Sequence, residues 1–415
     1  MADASPTQQS TSKPRAHSRA MALDRACFEG LEWVDRKDAR QISFVAQGAF
    51  NKLYLVQAAG QDDLILRVSL PVDPRFKTQS EVATLEWMSR NTELPVPKVM
   101  LHDASRHSRI SFEWILMSKL PGEVWATRWQ SMAYATKEQL VKKFCRYASH
   151  VFRKQCRGIG NIHSSSPSAE VGRIVSMHFF WDHRIHEDVP RGPFKTTRDW
   201  MQARLMLSSR ESHGKIAKYS AQSEMGSDNE DDLHDAQQTL DIIKKLQPLV
   251  DVVFPPAQDP EPEATMLFHD DLSLHNILVD RDGNLTGVVD WECVSALPLW
   301  ASCYFPTFLN DQPRNSMPDR ANDDVEPNGE IDGLYWDHVK EYELTRLRKT
   351  FLEEMASLEP GWMEVFESSA QKRDPDMAVR KRDNDFLAKR IQGWVDDVTK
   401  GRVDGPGLLE RIYDD

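Results

Sequence analysis

The apolar positions of this chain change period along its length. Ile42-Ser43-Phe44-Val45, Leu53-Tyr54-Leu55-Val56, Leu64-Ile65-Leu66-Arg67-Val68 and the run ending Trp114-Ile115-Leu116-Met117 are short, apolar and bounded by polar residues, and each predicts a strand. Val82, Leu85 and Met88 form one stripe in Ser80–Met88 and predict a helix with Glu81 in its first turn. Thr136-Lys137-Glu138-Gln139 has the form of a capping box. It opens a helix whose face carries Leu140, Val141, Phe144, Ala148, Val151 and Phe152, and Gly158-Ile159-Gly160 ends it. Further helical patterns run from Thr197 to Leu207, near Tyr335–Met355, near Trp362–Ser369 and from Met377 to Val398, with Trp336, Trp362 and Trp394 read as packing residues. Ser208–Asp235, acidic toward its end, predicts a solvated, mobile insertion, and Asn310–Asp332 a second polar loop. Strands first and helices afterwards predict an α+β chain: a small sheet-rich lobe, then a larger helical one.

One segment breaks into strands again inside the helical part. Ile277-Leu278-Val279 and Leu285–Val289 flank Asp282-Gly283, which predicts a hairpin with a tight turn. Pairing outward from that turn sets Asn276 opposite Val289, beside Asp290. Just upstream stands His269-Asp270-Asp271-Leu272-Ser273-Leu274-His275-Asn276. The layout is H-x-D-x(4)-N, with a second Asp fourteen residues after the Asn. Phosphoryl transfer to a hydroxyl needs this set: a carboxylate to take the hydroxyl proton, and oxygen ligands to hold Mg²⁺ against nucleotide phosphates. Asp271 fits the first role, and Asn276 and Asp290 the second. A metal-dependent phosphohydrolase would want further His ligands on helices, and none is patterned here. His178, His183 and His186 are read as separate histidines rather than a metal site.

The segment Phe268–Pro306 resembles the aminoglycoside phosphotransferase family, which shares its fold with choline kinases and, more remotely, with protein kinases. Asp290-Trp291-Glu292 stands where protein kinases have Asp-Phe-Gly. Together with Ala296-Leu297-Pro298-Leu299-Trp300 it is most similar to fungal members of the family. The resemblance implies a two-lobed protein kinase-like fold, with ATP and Mg²⁺ as cofactors and an alcohol group of a small molecule as acceptor. It implies that the turn containing Gly48, Phe50 and Asn51 covers the triphosphate, although these residues alone suit a plain hairpin equally well. It implies that Arg67 takes the place of the usual strand lysine and pairs with Glu81, with Glu86 the weaker candidate. Met117-Ser118-Lys119 would be the hinge where backbone groups meet adenine. His269 joins Asp271 in the catalytic loop as its brace, and Glu292 supports the site from behind. Arg67 for Lys and a turn with a single Gly leave open a catalytically weak pseudokinase on the same fold. A protein kinase acting on polypeptides is disfavoured by the absence of a Gly-rich loop, Asp-Phe-Gly and Ala-Pro-Glu.

Composition narrows the picture. A net charge of −12 offers no basic face for nucleic acid, and 40% hydrophobic residues in 415 are ample for a core. Five scattered cysteines (27, 145, 156, 293, 303) make no C-x-x-C and no disulfide framework, so a reducing compartment is expected. No stretch of about 18 apolar residues is present, so no membrane span is expected. Residues 1–24 lack a signal-peptide core and read as a disordered tail; a cytoplasmic location follows, with a mitochondrial one as the weaker alternative suggested by Arg15, Arg19 and Arg25. The organisation predicted is therefore 1–24 tail, 25–120 nucleotide lobe, and 121–415 helical lobe, with the catalytic hairpin at 265–306 and the polar insertion near 208–235.

Overall fold

The structure, a computed structural model, describes residues 41–413 apart from 58–59, 61, 108–109, 165–169, 222–226, 258, 320–332, 383–384 and 403–404. The expected tail, Cys27 and most of the second polar loop lie outside the described residues.

The first lobe is an antiparallel sheet of β1 (Gln41–Gln47), β2 (Asn51–Gln57), β3 (Leu64–Ser69), β4 (Val99–Asp103) and β5 (Glu113–Ser118), in the order β1-β2-β3-β5-β4. All four predicted strands are present. Alternation is clearest where one face is buried: Tyr54, Val56, Leu66, Val68, Trp114 and Leu116 pack together on one side. Ile115 and Met117 point to the other side and meet Val82 of α1 (Phe76–Asn91). That helix begins earlier than the sequence predicts, so Glu81 sits in its second turn and does not cap it. The reason is burial on nearly every side. Lys77, Thr78, Ser80, Glu81 and Thr84 are buried along with Ala83, Leu85 and Met88, because α1 is held between the sheet and the second lobe. A helix sandwiched this way carries no clean polar face.

The second lobe is mainly helical: α2 (Tyr134–Phe152), α3 (Thr197–Ser220), α4 (Ser227–Val253), α5 (Gly333–Leu358), α6 (Pro360–Ser368), α7 (Ala370–Lys381) and α8 (Asp385–Thr399). The predicted capping box is not used. α2 starts at Tyr134 behind Ala133 with no side-chain cap; Lys137 is buried against Glu343 at 2.6 Å, and Glu138 accepts a hydrogen bond from Thr350. The predicted helix 377–398 falls on two elements, α7 ending at Lys381 and α8 beginning at Asp385. Within the polar stretch 208–235, residues 208–220 close α3 and residues 227–235 open α4, an antiparallel pair tied by the Tyr219 hydroxyl donating to Asp232 at 2.7 Å. Their polar residues are the outer face; Trp200, Met201, Leu205 and Leu207 meet Leu240, Ile243, Leu246 and Val250 inside.

The strands of this lobe form small sheets. β8 (Ala264–Phe268) lies between β7 (Cys156–Arg157) and β11 (Ser295–Pro298); β9 (Ile277–Val279) lies between β6 (Glu123–Val124) and β10 (Leu285–Val288). The pairs Ile277–Val288 and Leu278–Gly287 keep the predicted register; a bulge then brings Val279 opposite Leu285. The turn is longer than Asp-Gly alone. The Asp280 carboxylate accepts the N–H groups of Asp282 and Asn284, and Gly283 has φ 83°, which an L side chain tolerates poorly. Gly122, ahead of β6, has φ 105°, and a Cβ there would lie 2.7 Å from the Val279 carbonyl, so only glycine lets the chain pass the hairpin.

Candidate functional site

β8 ends at Phe268, and the loop 269–276 leaves it directly. The loop is pinned from outside: Thr307 Oγ1 donates to the Asp270 carbonyl at 2.7 Å, the Phe308 N–H to the Leu272 carbonyl at 2.8 Å, and Arg380 of α7 pairs with Asp270 at 3.1 Å. Inside it, Asn276 Nδ2 donates to both the carboxylate (2.9 Å) and the carbonyl (2.8 Å) of Asp271. The Val289 N–H donates to the Asn276 carbonyl at 2.9 Å, which is the predicted apposition. Asp271, Asn276 and Asp290 are thereby gathered at one end of the hairpin. Burial, with Asp290, Asp270 and Glu292 adding to it, raises the proton affinity of the Asp271 carboxyl, and the Asn276 amide opposes the rise. Asp290 has φ 65°, an uncommon conformation for a residue with a side chain and one that clusters at functional sites.

His269 is buried, with its ring 4.9 Å from that of Trp291. Burial pushes it down to about 4, so it is neutral at pH 7. Its packing suits a brace. Trp291 in turn donates from Nε1 to the Val288 carbonyl at 2.8 Å.

Across the cleft, the first lobe supplies Arg67 from β3. The predicted partner is the one found: Arg67 Nη1 lies 3.0 Å from Glu81 Oε1, while Glu86 pairs with Arg90. The other end of the guanidinium carries two more carboxylates, Nη2 lying 2.7 Å from Asp290 Oδ1 and 2.8 Å from Glu292 Oε2. A planar fork reaches all three at once, which a lysine ammonium could not do in one fixed plane. Glu292 Oε2 has two further donors, Asn51 Nδ2 at 2.8 Å and the buried Lys77 ammonium. Lys77 also donates to Asn51 Oδ1 at 2.9 Å, and Ser69 Oγ to the same oxygen at 3.0 Å. Burial alone would disfavour the Glu292 charge, but Arg67, Lys77 and Asn51 outweigh it and hold the carboxyl at about 2. Glu81 goes the other way, pushed up to about 7 by burial against the pull of Arg67.

Lys77 is missing from the sequence reading. A lysine in a helical stretch reads as surface, and nothing local says that it turns inward. Glu292 is closer to the centre than its expected supporting place.

The turn between β1 and β2 is tight, the Gly48 N–H donating to the Asn51 carbonyl at 2.9 Å. Gly48 has no positive φ, and the atom nearest to a Cβ there would be 4.0 Å away, so glycine is not required for backbone reasons. Asn51 points down into the carboxylate network. Phe50 packs edge-on against Phe180 (5.3 Å) and Trp181 (5.9 Å) of the second lobe. At the expected hinge Met117 is buried, and Lys119 lies 3.4 Å from Asp63. The Ser118 and Lys119 N–H groups already donate to the Lys98 and Asp63 carbonyls, at 2.9 and 3.2 Å.

The oxygen donors at the hairpin suit a hard divalent cation. Asn276 spends its N–H₂ on Asp271, which leaves its amide oxygen for a metal, and Asp290 adds a carboxylate; Mg²⁺ takes one or two such ligands and fills its shell with phosphate and water. Among the described residues no group of three or more His, Cys, Asp or Glu side chains is placed to hold a metal ion. Cys145, Cys156, Cys293 and Cys303 are free thiols. No helix among the described residues is long and apolar enough to cross a membrane. Beside the loop opens a cleft of about 470 Å³ lined by Thr127, Ser273, His275, Asn310, Trp336 and Asp337. Trp362 and Trp394 are buried as predicted, but Trp336 is 37% exposed on this cleft.

Residues 41–301 match the phosphotransferase enzyme family. A subtelomeric hrmA-associated cluster protein of Aspergillus fumigatus is 22% identical over 327 residues, 67% of this chain and 64% of that protein. Clavilactone A biosynthesis cluster protein Y of Ampulloclitocybe clavipes is 29% identical over 245 residues, 56% of this chain and 54% of that one. The chain thus spans less than two-thirds of the length of these relatives. Among solved structures, an aminoglycoside phosphotransferase in ternary complex with ADP and hygromycin B aligns over 90% of this chain and 98% of its own, with 14% identity and a TM-score of 0.41.

Proposed function

The chain belongs to the phosphotransferase enzyme family, and we propose on that premise that it moves the γ-phosphoryl group of ATP to a hydroxyl of a small molecule. The observation that carries this reading is the meeting of Asp271, Asn276 and Asp290 at one hairpin end, opposite the buried Arg67–Glu81 pair. Asp271 orients the acceptor hydroxyl and takes its proton as the oxygen–phosphorus bond forms and the bond to the bridging oxygen of ADP breaks. Its raised proton affinity favours that acceptance, and Asn276 fixes its rotamer. Asn276 and Asp290 would hold Mg²⁺, which neutralises charge on the transferring phosphates. Arg67, anchored by Glu81, faces the phosphates. Gly48, Phe50 and Asn51 close over them, and Met117 and Lys119 bound the adenine end. His269 braces the loop.

The acceptor belongs in the cleft that Ser273, His275 and Trp336 line, because that cleft opens on the catalytic loop itself. A relative named for a natural-product biosynthesis cluster supports a small-molecule acceptor over a polypeptide. A second reading, a nucleotide-binding pseudokinase, is favoured by one observation: Arg67 and Lys77 both already carry carboxylate partners.

The test is ADP release from MgATP in the presence of pooled hydroxyl-bearing metabolites of low mass. Wild type should release ADP in step with a phosphorylated product, and Asp271→Ala should not. Nucleotide binding with no turnover in any pool would leave the pseudokinase.

A further inference from the structure

Resting on the reading above, we propose that Glu292 and Lys77 are positioning residues that set, in opposite directions, how readily Asp290 is given up to a divalent cation. Arg67 stands at the centre of the cluster. Its Nη2 donates to Asp290 Oδ1 at 2.7 Å and also lies 2.8 Å from Glu292 Oε2. A divalent cation at Asp290 repels the Arg67 guanidinium and so draws that carboxylate away from it. The cost of leaving depends on what Arg67 keeps. With Glu81 on Nη1 and Glu292 on Nη2 it keeps two carboxylates, so its charge stays compensated. Without Glu292, Nη2 would belong to Asp290 alone, and the pair would hold more tightly, as a charge-assisted bond in a buried setting does.

Lys77 acts on the same balance from the far side. Its ammonium, 2% exposed, shares Glu292 Oε2 with Arg67 and Asn51. It draws part of the Glu292 charge away from Arg67. Removing the Lys77 charge should let Glu292 draw Arg67 closer and loosen Asp290. Of the carboxylates around Arg67, Asp290 is the most exposed, its side chain 35% accessible, so a cation would reach the cluster there.

The experiment is calorimetric binding of ADP by the full chain across a Mg²⁺ titration, with a parallel series in chelator. Glu292→Gln should raise the Mg²⁺ concentration for half-maximal binding about tenfold, the scale of one charge-assisted hydrogen bond. Lys77→Met should lower it, and ADP binding in chelator should change less than about twofold in both. Circular dichroism establishes that each variant folds, and should Glu292→Gln not fold, Lys77→Met carries the test by the direction of its shift. A midpoint that Lys77→Met raises or leaves in place overturns the inference, as do variants that weaken binding equally with and without Mg²⁺, since a merely structural role would do that. Wild type lacking any Mg²⁺-dependent ADP binding would overturn the functional reading and this inference with it, so the two failures are told apart by the wild-type curve.

Discussion

Asp271 stands at the open edge of its loop with one amide on its carboxyl, whereas Asp290 and Glu292 face cationic donors. These surroundings separate their roles. Asp271→Ala should lower phosphoryl transfer by about 10²–10⁴-fold, the range of a positioned general base, and leave the affinity for nucleotide within about twofold. Single-turnover transfer and ADP binding read the two separately; an unchanged rate would end the assignment. His269 gives a pH prediction. An unfolded histidine titrates near 6.5 and this one at about 4, so the unfolded chain takes up the proton first as pH falls. Stability from this group is complete above pH 6.5 and is lost progressively toward pH 4, about 3 kcal/mol in all. Urea unfolding at pH 7 and pH 4.5 should show a smaller loss for His269→Phe than for wild type, and equal losses would contradict the burial argument. The grouping of Asp271, Asn276 and Asp290 was legible in the sequence because their spacing is local and the hairpin that joins them is written between them. Lys77 was not, nor was the meeting of Asn51 with Glu292, because contacts across the lobes between residues 241 positions apart, as Asn51 and Glu292 are, leave no pattern in either neighbourhood.

Elements with one wet face were read well, and elements with none were not. The strands of the first lobe and α2 show their periodicity because one side meets the core. α1 hides its polar residues as well as its apolar ones, so its first turn was missed. The helices of the α3–α4 pair left no signal in the polar insertion predicted at 208–235 for the opposite reason: a helix end that is mostly polar carries no apolar stripe. Hydrogen exchange tests this directly. Amides of Ser208–Ser220 should exchange far more slowly than an unstructured segment, and exchange at free-peptide rates would restore the loop. The hairpin turn offers a second test. Gly283→Ala forces a Cβ into φ 83° and to 2.5 Å from Thr136 Cγ2. It should cost about 1–3 kcal/mol in denaturant unfolding, while no loss would mean that the turn relaxes freely.

The two lobes meet through several independent ties. Arg173 holds the buried Asp73 at 2.8 Å and lies over the Phe76 ring at 4.2 Å. Phe50 reaches Phe180 and Trp181, and Glu292 gathers Asn51, Arg67 and Lys77. These ties fix the Arg67–Asp290 contact between the lobes, where the proposed nucleotide site lies. On the proposed function, Asp290 is the residue through which MgATP is held. The measurement is the melting temperature with and without millimolar MgATP, in wild type and in Asp290→Ala. Wild type should melt several degrees higher with MgATP, as a ligand bound only by the folded state requires, and the variant should not. No rise in wild type, or an equal rise in Asp290→Ala, would contradict the claim.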